Sequence, residues 1–203
     1  MKKIISILML CVVTVFAMGC SSMTGSKQAA TPDSSPSKEL NGLKEHKTLI
    51  VYFSYTGNTR ALAGKVHQLI GGDIVEIQTR EPYSADYNHV VDQGKREVEE
   101  GFKPELSTKI DNFDQYDTIL LGTPIWWYHM SPALNSFMSQ YDFSGKTIVP
   151  FCTHGGYEGT CIQDMIDAAP GATVVSSFSI KGDEVEPADP KIQTWLRNAG
   201  LLK

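Results

Sequence analysis

Leu49-Ile50-Val51-Tyr52-Phe53-Ser54-Tyr55-Thr56-Gly57-Asn58-Thr59 is the stretch whose reading decides the fold. Its first five residues form an unbroken apolar run, the pattern of a strand covered on both faces. Its last six are short, mostly polar and turn-forming. From Asn58 to Ile70, Leu62, Val66, Leu69 and Ile70 then fall on one helical stripe. A buried strand therefore passes through a tight turn at Gly57 directly into a helix.

The alternation continues toward the C-terminus. Asp73–Gln78 reads as a weaker strand, and Asp86–Glu100 as a polar helix carrying Val90, Val91 and Val98. Thr118–Leu121 is a short buried strand. Ser131 caps a helix with Pro132 in its first turn and Ala133, Leu134, Phe137 and Met138 turned inward. Thr147–Phe151 is a third buried strand, Thr160–Ala169 a short helix, and Thr173–Ile180 a longer strand diluted by serines. Asp189-Pro190 opens a last helix that ends near Gly200. Five strands alternating with five helices predict a parallel α/β sheet covered on both faces. The most apolar runs, at Leu49, Thr118 and Thr147, belong at its centre, and the mixed runs at its edges. That gives the order 2-1-3-4-5, with a switch point between strands one and three. Ligands are expected beyond the carboxyl ends of the strands, in the loops after strands one, three and four.

The loop after strand one, Ser54–Thr59, combines short polar side chains with the start of a helix, where free N–H groups and the helix dipole suit a phosphate. It has neither the lysine of a P-loop nor the glycine spacing of a dinucleotide fingerprint, which disfavours both of those chemistries. After strand three, Thr123-Pro124-Ile125-Trp126-Trp127-Tyr128-His129-Met130 places three adjacent aromatics where a planar ligand would stack. Trp126 is read as a ligand contact; Trp127 is open between ligand contact and core packing. After strand four, Thr153-His154-Gly155-Gly156-Tyr157-Glu158-Gly159 offers a backbone that a ligand can approach closely. Tyr157 suits the outer face of a ring, and His154 is either a donor at the site or a solvated turn residue.

The remaining residues specify address and reach. Lys2 and Lys3 precede the apolar run Ile4–Gly19, too short for a membrane span of about 20 residues. With Ala17-Met18-Gly19-Cys20 after it, residues 1–20 read as a signal peptide resembling that of a bacterial lipoprotein, with Cys20 as the lipidated residue. Residues 21–47 are rich in Ser, Lys, Thr, Ala and Pro and read as a flexible linker. Residues 48–203 form the one folded domain, where 12 basic residues against 20 acidic give a net charge of -8; the whole chain carries -5. This predicts an extracytoplasmic protein of the bacterial cell envelope, lipid-anchored. No basic patch accompanies that charge, which argues against nucleic-acid binding. A homodimer stays open.

S-Y-T-G-N-T, T-P-I-W-W-Y and C-T-H-G-G-Y-E-G, following strands one, three and four, together resemble the FMN-binding loops of the flavodoxin family. The resemblance covers about Thr48–Lys203 and implies a flavodoxin-like three-layer sandwich of the short-chain form with FMN as cofactor. It assigns the FMN phosphate to Ser54, Thr56, Asn58 and Thr59, with Tyr55 and Gly57 completing that loop. It places Trp126 and Tyr157 on opposite faces of the flavin ring, with Trp127 and His154 nearby. Thr153, Gly155 and Gly156 fall on the pyrimidine side, and Pro124 and Ile125 along the ribityl edge. It implies electron transfer with a redox partner protein or a small-molecule acceptor. The alternatives are an NAD(P)H:acceptor oxidoreductase of quinone type, and a lipoprotein that keeps the fold without the flavin. No side chain is assigned as catalytic and no metal site is implied. Cys152 and Cys161 are either a disulfide stapling the flavin loop or reduced, buried thiols.

Overall fold

In the computed structural model, which describes residues 47–203, β1 (Thr48–Tyr52) is the strand on which the sheet is assembled. Leu49, Ile50 and Val51 have no solvent exposure, as the unbroken apolar run requires. β1 pairs in parallel with β2 (Asp73–Glu76) on one side and with β3 (Thr118–Trp126) on the other. β3 pairs in parallel with β5 (Thr147–His154). β6 (Thr173–Val174) and β7 (Phe178–Lys181) both pair with β5 and complete the far edge. Taking β6 and β7 as one broken strand, the order is the expected 2-1-3-4-5.

Successive side chains along these strands feed two separate cores, because a strand alternates faces with every residue. Leu49, Val51, Ile119, Leu121, Ile148 and Cys152 point to one side. There they meet α3 (Pro132–Met138) and α4 (Cys161–Asp167) through Leu134, Phe137, Met138, Cys161 and Met165. Ile50, Tyr52, Leu120, Val149 and Phe151 point to the other side. There they meet α1 (Asn58–Ile70) and α5 (Asp189–Asn198) through Leu62, Val66, Ile192, Trp195 and Leu196. α2 (Tyr87–Glu99) is capped by Asp86, whose carboxylate accepts from the Asn88 and His89 amides.

Three differences from the sequence reading have physical causes. β3 and β5 run five and three residues past the ends of their most apolar segments, carrying Pro124–Trp126 and Cys152–His154 into the sheet. The Trp-containing segment after strand three is therefore not a free loop. Trp126 pairs with His129 and Ile125 with Met130, so that β4 (His129–Met130) folds back on β3 as a two-residue hairpin. The fifth strand, expected to be continuous over Thr173–Ile180, breaks at Val175–Ser177, where serines offer little to bury; only three residues separate its halves. The signal segment with Cys20 and the linker up to residue 46 lie outside the described residues. Among the described residues no helix is long and apolar enough to cross a membrane.

Gly122 sits between Tyr52 and Phe151 in the register of the three central strands. A β-carbon there would lie 2.2 Å from the Phe151 ring and 2.8 Å from Tyr52 Cβ. Both neighbours are buried and cannot step aside. Gly122→Ala is expected to destabilise the domain by about 1–3 kcal/mol, the usual range for overpacking a core, measured as a lowered urea midpoint at unchanged slope.

Candidate functional site

The carboxyl ends of β1, β3 and β5 open into a cavity of about 550 Å³, within the range of ligand sites. Three segments expected from the sequence line it: the turn before α1, the β3–β4 hairpin and the strand-end segment from Thr153 to Tyr157. A fourth was not foreseen. α2 contributes Tyr87, Val90, Val91 and Gly94 as a lateral wall. Gly94 was the available signal, since a glycine in mid-helix marks a close approach. A β-carbon at Gly94 would stand 2.8 Å from the Trp126 ring.

The turn before α1 is built to leave donors free. Gly57 holds φ 95° and places no side chain on the helix end, so the Asn58 and Thr59 amides have no acceptor among the described residues. Thr56 and Asn58 line the cavity and are exposed, and Asn58 Nδ2 donates to Thr56 Oγ1 at 3.4 Å. Ser54 and Thr59 are turned into the protein instead. Ser54 Oγ accepts from the Arg60 amide at 3.2 Å, and Thr59 Oγ1 meets Thr153 Oγ1 at 2.8 Å in full burial. Neither residue, nor Gly57, lines the cavity.

Arg60, the nearest cation in sequence, is engaged elsewhere. Its guanidinium holds both Glu76 oxygens, at 2.8 and 2.5 Å, in the forked geometry that favours Arg with carboxylates. Tyr52 donates to the same carboxylate at 3.2 Å. Burial, followed by the Glu76 charge, pushes the Tyr52 phenol up to about 12. Among the described residues the cavity is lined by no Asp, Glu, Lys or Arg side chain.

The aromatic hairpin is clamped on both sides. At its tip Trp127 and Tyr128 have φ of 49° and 72°, as mirror-image two-residue turns require and as bulky residues rarely accept. Trp127 Nε1 donates to the Val91 carbonyl of α2 at 2.9 Å, and Lys95 lies over its ring. The Tyr128 carbonyl accepts from the Thr160 amide at 2.7 Å, with Gly159 directly against Tyr128. At the base, Ser131 N and Oγ bond to Thr123 Oγ1 at 3.2 and 2.8 Å, entirely buried. Asp164 Oδ2 then accepts from both His129 Nδ1 and the Met130 amide, fixing β4 to α4. Trp127 thus lines the cavity and is tied to α2, and it belongs to neither core cluster.

Trp126 is less a free platform than the sequence suggests. It is half-buried and meets Phe53, Tyr55 and Tyr83 edge-on, at centroid distances of 5.8, 6.1 and 4.8 Å, while still lining the cavity. Tyr83 in turn donates to Glu97 at 2.6 Å; burial, then Glu97, drive its phenol far above the ordinary range. Around the mouth Tyr157 is 76% exposed, Tyr87 62%, Tyr128 55% and Trp127 41%. Pro124, Ile125, Gly155 and Gly156 also line the cavity. His154 lines it too, and its Nδ1 is buried with no partner, the condition of a polar atom that waits for a ligand or water. Cys152 and Cys161 are free and fully buried; of the two alternatives, the structure holds the thiol form.

A doubly wound parallel sheet with a cavity at its switch point, floored by a bare helix N-terminus and walled by aromatics, defines the flavodoxin class of fold. The flavodoxin family model matches residues 47–199. A candidate flavoprotein from Bacteroides uniformis is 30% identical, over 75% of this chain and 98% of its own, with a TM-score of 0.65. One from Bacteroides eggerthii is 28% identical, over 76% and 98%, with a TM-score of 0.66. A Lactobacillus acidophilus flavoprotein solved in complex with FMN is 25% identical, over 70% and 97%, with a TM-score of 0.58. A search of curated proteins returned no significant match. The chain belongs to the flavodoxin family.

The Tyr52–Glu76 contact carries a pH signature. Because the folded phenol titrates above the value near 10 of an unfolded tyrosine, the stability it contributes is present below pH 10 and is lost as pH rises through about 12. Tyr52→Phe is expected to lose less stability than the native chain between pH 10 and 12, read from urea midpoints across that interval.

Proposed function

We propose that the chain binds FMN in this cavity and works as an electron-transfer flavoprotein, held by a lipid on Cys20 at the outer side of a bacterial membrane. The observation that carries the flavin reading is the donor set of the cavity. One end offers unpaired amides at the start of a 13-residue helix, the middle is uncharged and aromatic, and an orphaned ring nitrogen sits in the lining. A ligand with one anionic end, a polar chain and a planar apolar ring matches those three regions in turn.

The Asn58 and Thr59 amides, with the Thr56 and Asn58 side chains, hold the phosphate. The helix dipole, equivalent to about half a positive charge, favours the anion there. Trp126, Trp127 and Tyr157 bound the ring and exclude water, and His154 Nδ1 gains the partner it lacks. Thr153, Gly155 and Gly156 present the strand end to the polar edge of the ring. When bound, FMN supplies the capacity to take up and release electrons singly or in pairs. Ser54 and Thr59 support the phosphate loop through the bonds that fix its backbone. The lipid anchor and the extracytoplasmic location rest on residues 1–20, and the linker 21–47 gives the domain reach. The partner is a redox protein or a small-molecule acceptor.

The exposed aromatics at the mouth favour a second reading, an oxidoreductase that passes electrons from NAD(P)H to a planar acceptor. Stopped-flow mixing with NADPH separates the two. Bleaching of the flavin on a turnover timescale selects the enzyme, and no bleaching selects the carrier.

Titration of the flavin-free protein with FMN is expected to give a yellow complex with Kd below about 0.1 mM, beyond roughly 5–6 kcal/mol. A colourless protein at that concentration indicates a fold that has lost its flavin. Tyr157→Ala leaves the core intact and is expected to weaken FMN by about tenfold, through a lost ring contact of about 1 kcal/mol, and to raise the fluorescence of the bound flavin. For the anchor, labelled palmitate should enter the native chain in a bacterial host and be absent from Cys20→Ser.

A further inference from the structure

β7 leaves the sheet level with the cavity wall, since Lys181, its last residue, pairs with His154 of β5. A short helical turn, Gly182–Glu184, follows and packs against the start of α1. The turn is held from both ends. Ile180 before it and Val185 after it are buried in the core that α1 and α5 share. Lys181 pairs with Asp183 at 2.9 Å and Lys191 with Glu184 at 3.2 Å, exposed ion pairs that add little by themselves. Lys65 on α1 reaches Glu186 at 3.6 Å and Asp189 at 2.9 Å, tying the two segments together.

Gly182 stands where this turn meets Asn58. A β-carbon there would lie 2.3 Å from Asn58 Nδ2 and 3.0 Å from its Cγ. The backbone does not call for glycine, since its φ lies outside the left-handed region. The glycine is explained instead by the room it leaves for one side chain. That side chain is exposed, with its amide 3.4 Å from Thr56 Oγ1 and both residues on the cavity lining. An exposed asparagine samples several rotamers, and a hydrogen bond to a ligand carries the entropic cost of choosing one. A rigid turn behind it removes alternatives in advance. The sterics also separate Gly182 from Gly122. At Gly122 an added methyl group meets buried rings; at Gly182 it meets the free end of an exposed side chain, which moves aside at little cost to the fold.

We propose that Gly182 is a positioning residue for flavin specificity: by seating the Asn58 side-chain amide at the anion end, it makes the cavity select flavin carrying a phosphate over riboflavin. The selectivity rests on the FMN reading above; the seating of Asn58 does not. The seated amide joins the Asn58 and Thr59 backbone N–H groups at a helix end where, among the described residues, no lysine or arginine lines the cavity. Hydrogen bonds to a charged acceptor are stronger than neutral ones. A donor held or lost here therefore changes phosphate binding and leaves the ring contacts alone.

Titration of the flavin-free full chain with FMN and with riboflavin, read by flavin fluorescence, tests this. Gly182→Ala is expected to bind FMN about tenfold more weakly and riboflavin within about twofold of the native chain, the loss of one hydrogen bond to a charged group. Asn58→Ala should show the same loss, and the double variant no more than either one, since both changes remove a single interaction. The urea midpoint of Gly182→Ala should match the native value. Unchanged FMN affinity, an equal loss for both flavins, or losses that add in the double variant would overturn the specificity role. A second readout needs no flavin. In the ligand-free chain the Asn58 side-chain amide is expected to have a high NMR order parameter that drops in Gly182→Ala. Equal order parameters in the two proteins sink the seating. A native chain that seats Asn58 in this way but binds neither flavin keeps the seating and removes the FMN reading instead.

Discussion

Between Tyr52 and Gly122 the two central strands are paired for the last time in register, and everything functional lies beyond that point. The connection from β1 leaves toward β2 at one edge, while the connection from β3 leaves toward β5 and the other edge. No chain covers the ground between two departures in opposite directions, so a crevice is unavoidable. The pairing is rigid because both faces of both strands are buried, and because Gly122 admits the Phe151 ring across it. The cavity is therefore a property of how the sheet is connected. The residues around it decide what it accepts.

Those residues are held by restraints with different origins. The turn before α1 is shaped by Gly57 and by Ser54, which bonds to the backbone. The hairpin is held by the opposite strategy. Its two tip residues adopt a backbone that bulky side chains disfavour, a cost of order 1–3 kcal/mol each, and clamps to α2, Thr160 and Asp164 keep them there. A strained tip fixed from both flanks keeps two aromatic rings at the mouth in place before any ligand arrives, which is the physical content of preorganisation.

The fold was legible because burial on both faces leaves a plain mark on a strand: Leu49–Phe53, Thr118–Leu121 and Thr147–Phe151 could not be read otherwise. Most of the cavity lining was legible too, since strand–turn–helix junctions carry their glycines and hydroxyls in fixed order. The hairpin was not. Two-residue hairpins announce themselves by Asn or Gly at the turn, and Trp127-Tyr128 gives the opposite signal, because tertiary clamps replace local preference. The wall from α2 was hidden for a related reason: its cavity face includes a glycine, and its neighbours in sequence are polar. Ser54 and Thr59 looked like ligand donors by composition, yet hydroxyls serve equally well to satisfy backbone and neighbours, and only packing decides between these uses. The break in the last strand reflects serines that have no core to enter.

The pairing of Arg60 with Glu76 has one further effect. Here the site is neutral and its nearest guanidinium is already spent on a carboxylate. The phosphate ester proposed for this site bears close to two negative charges, and it adds them to a domain already at -8 with no charged side chain in the lining to face them. Loaded and empty molecules then project different fields from the same face, and an approaching charged partner can tell them apart at a distance, before contact.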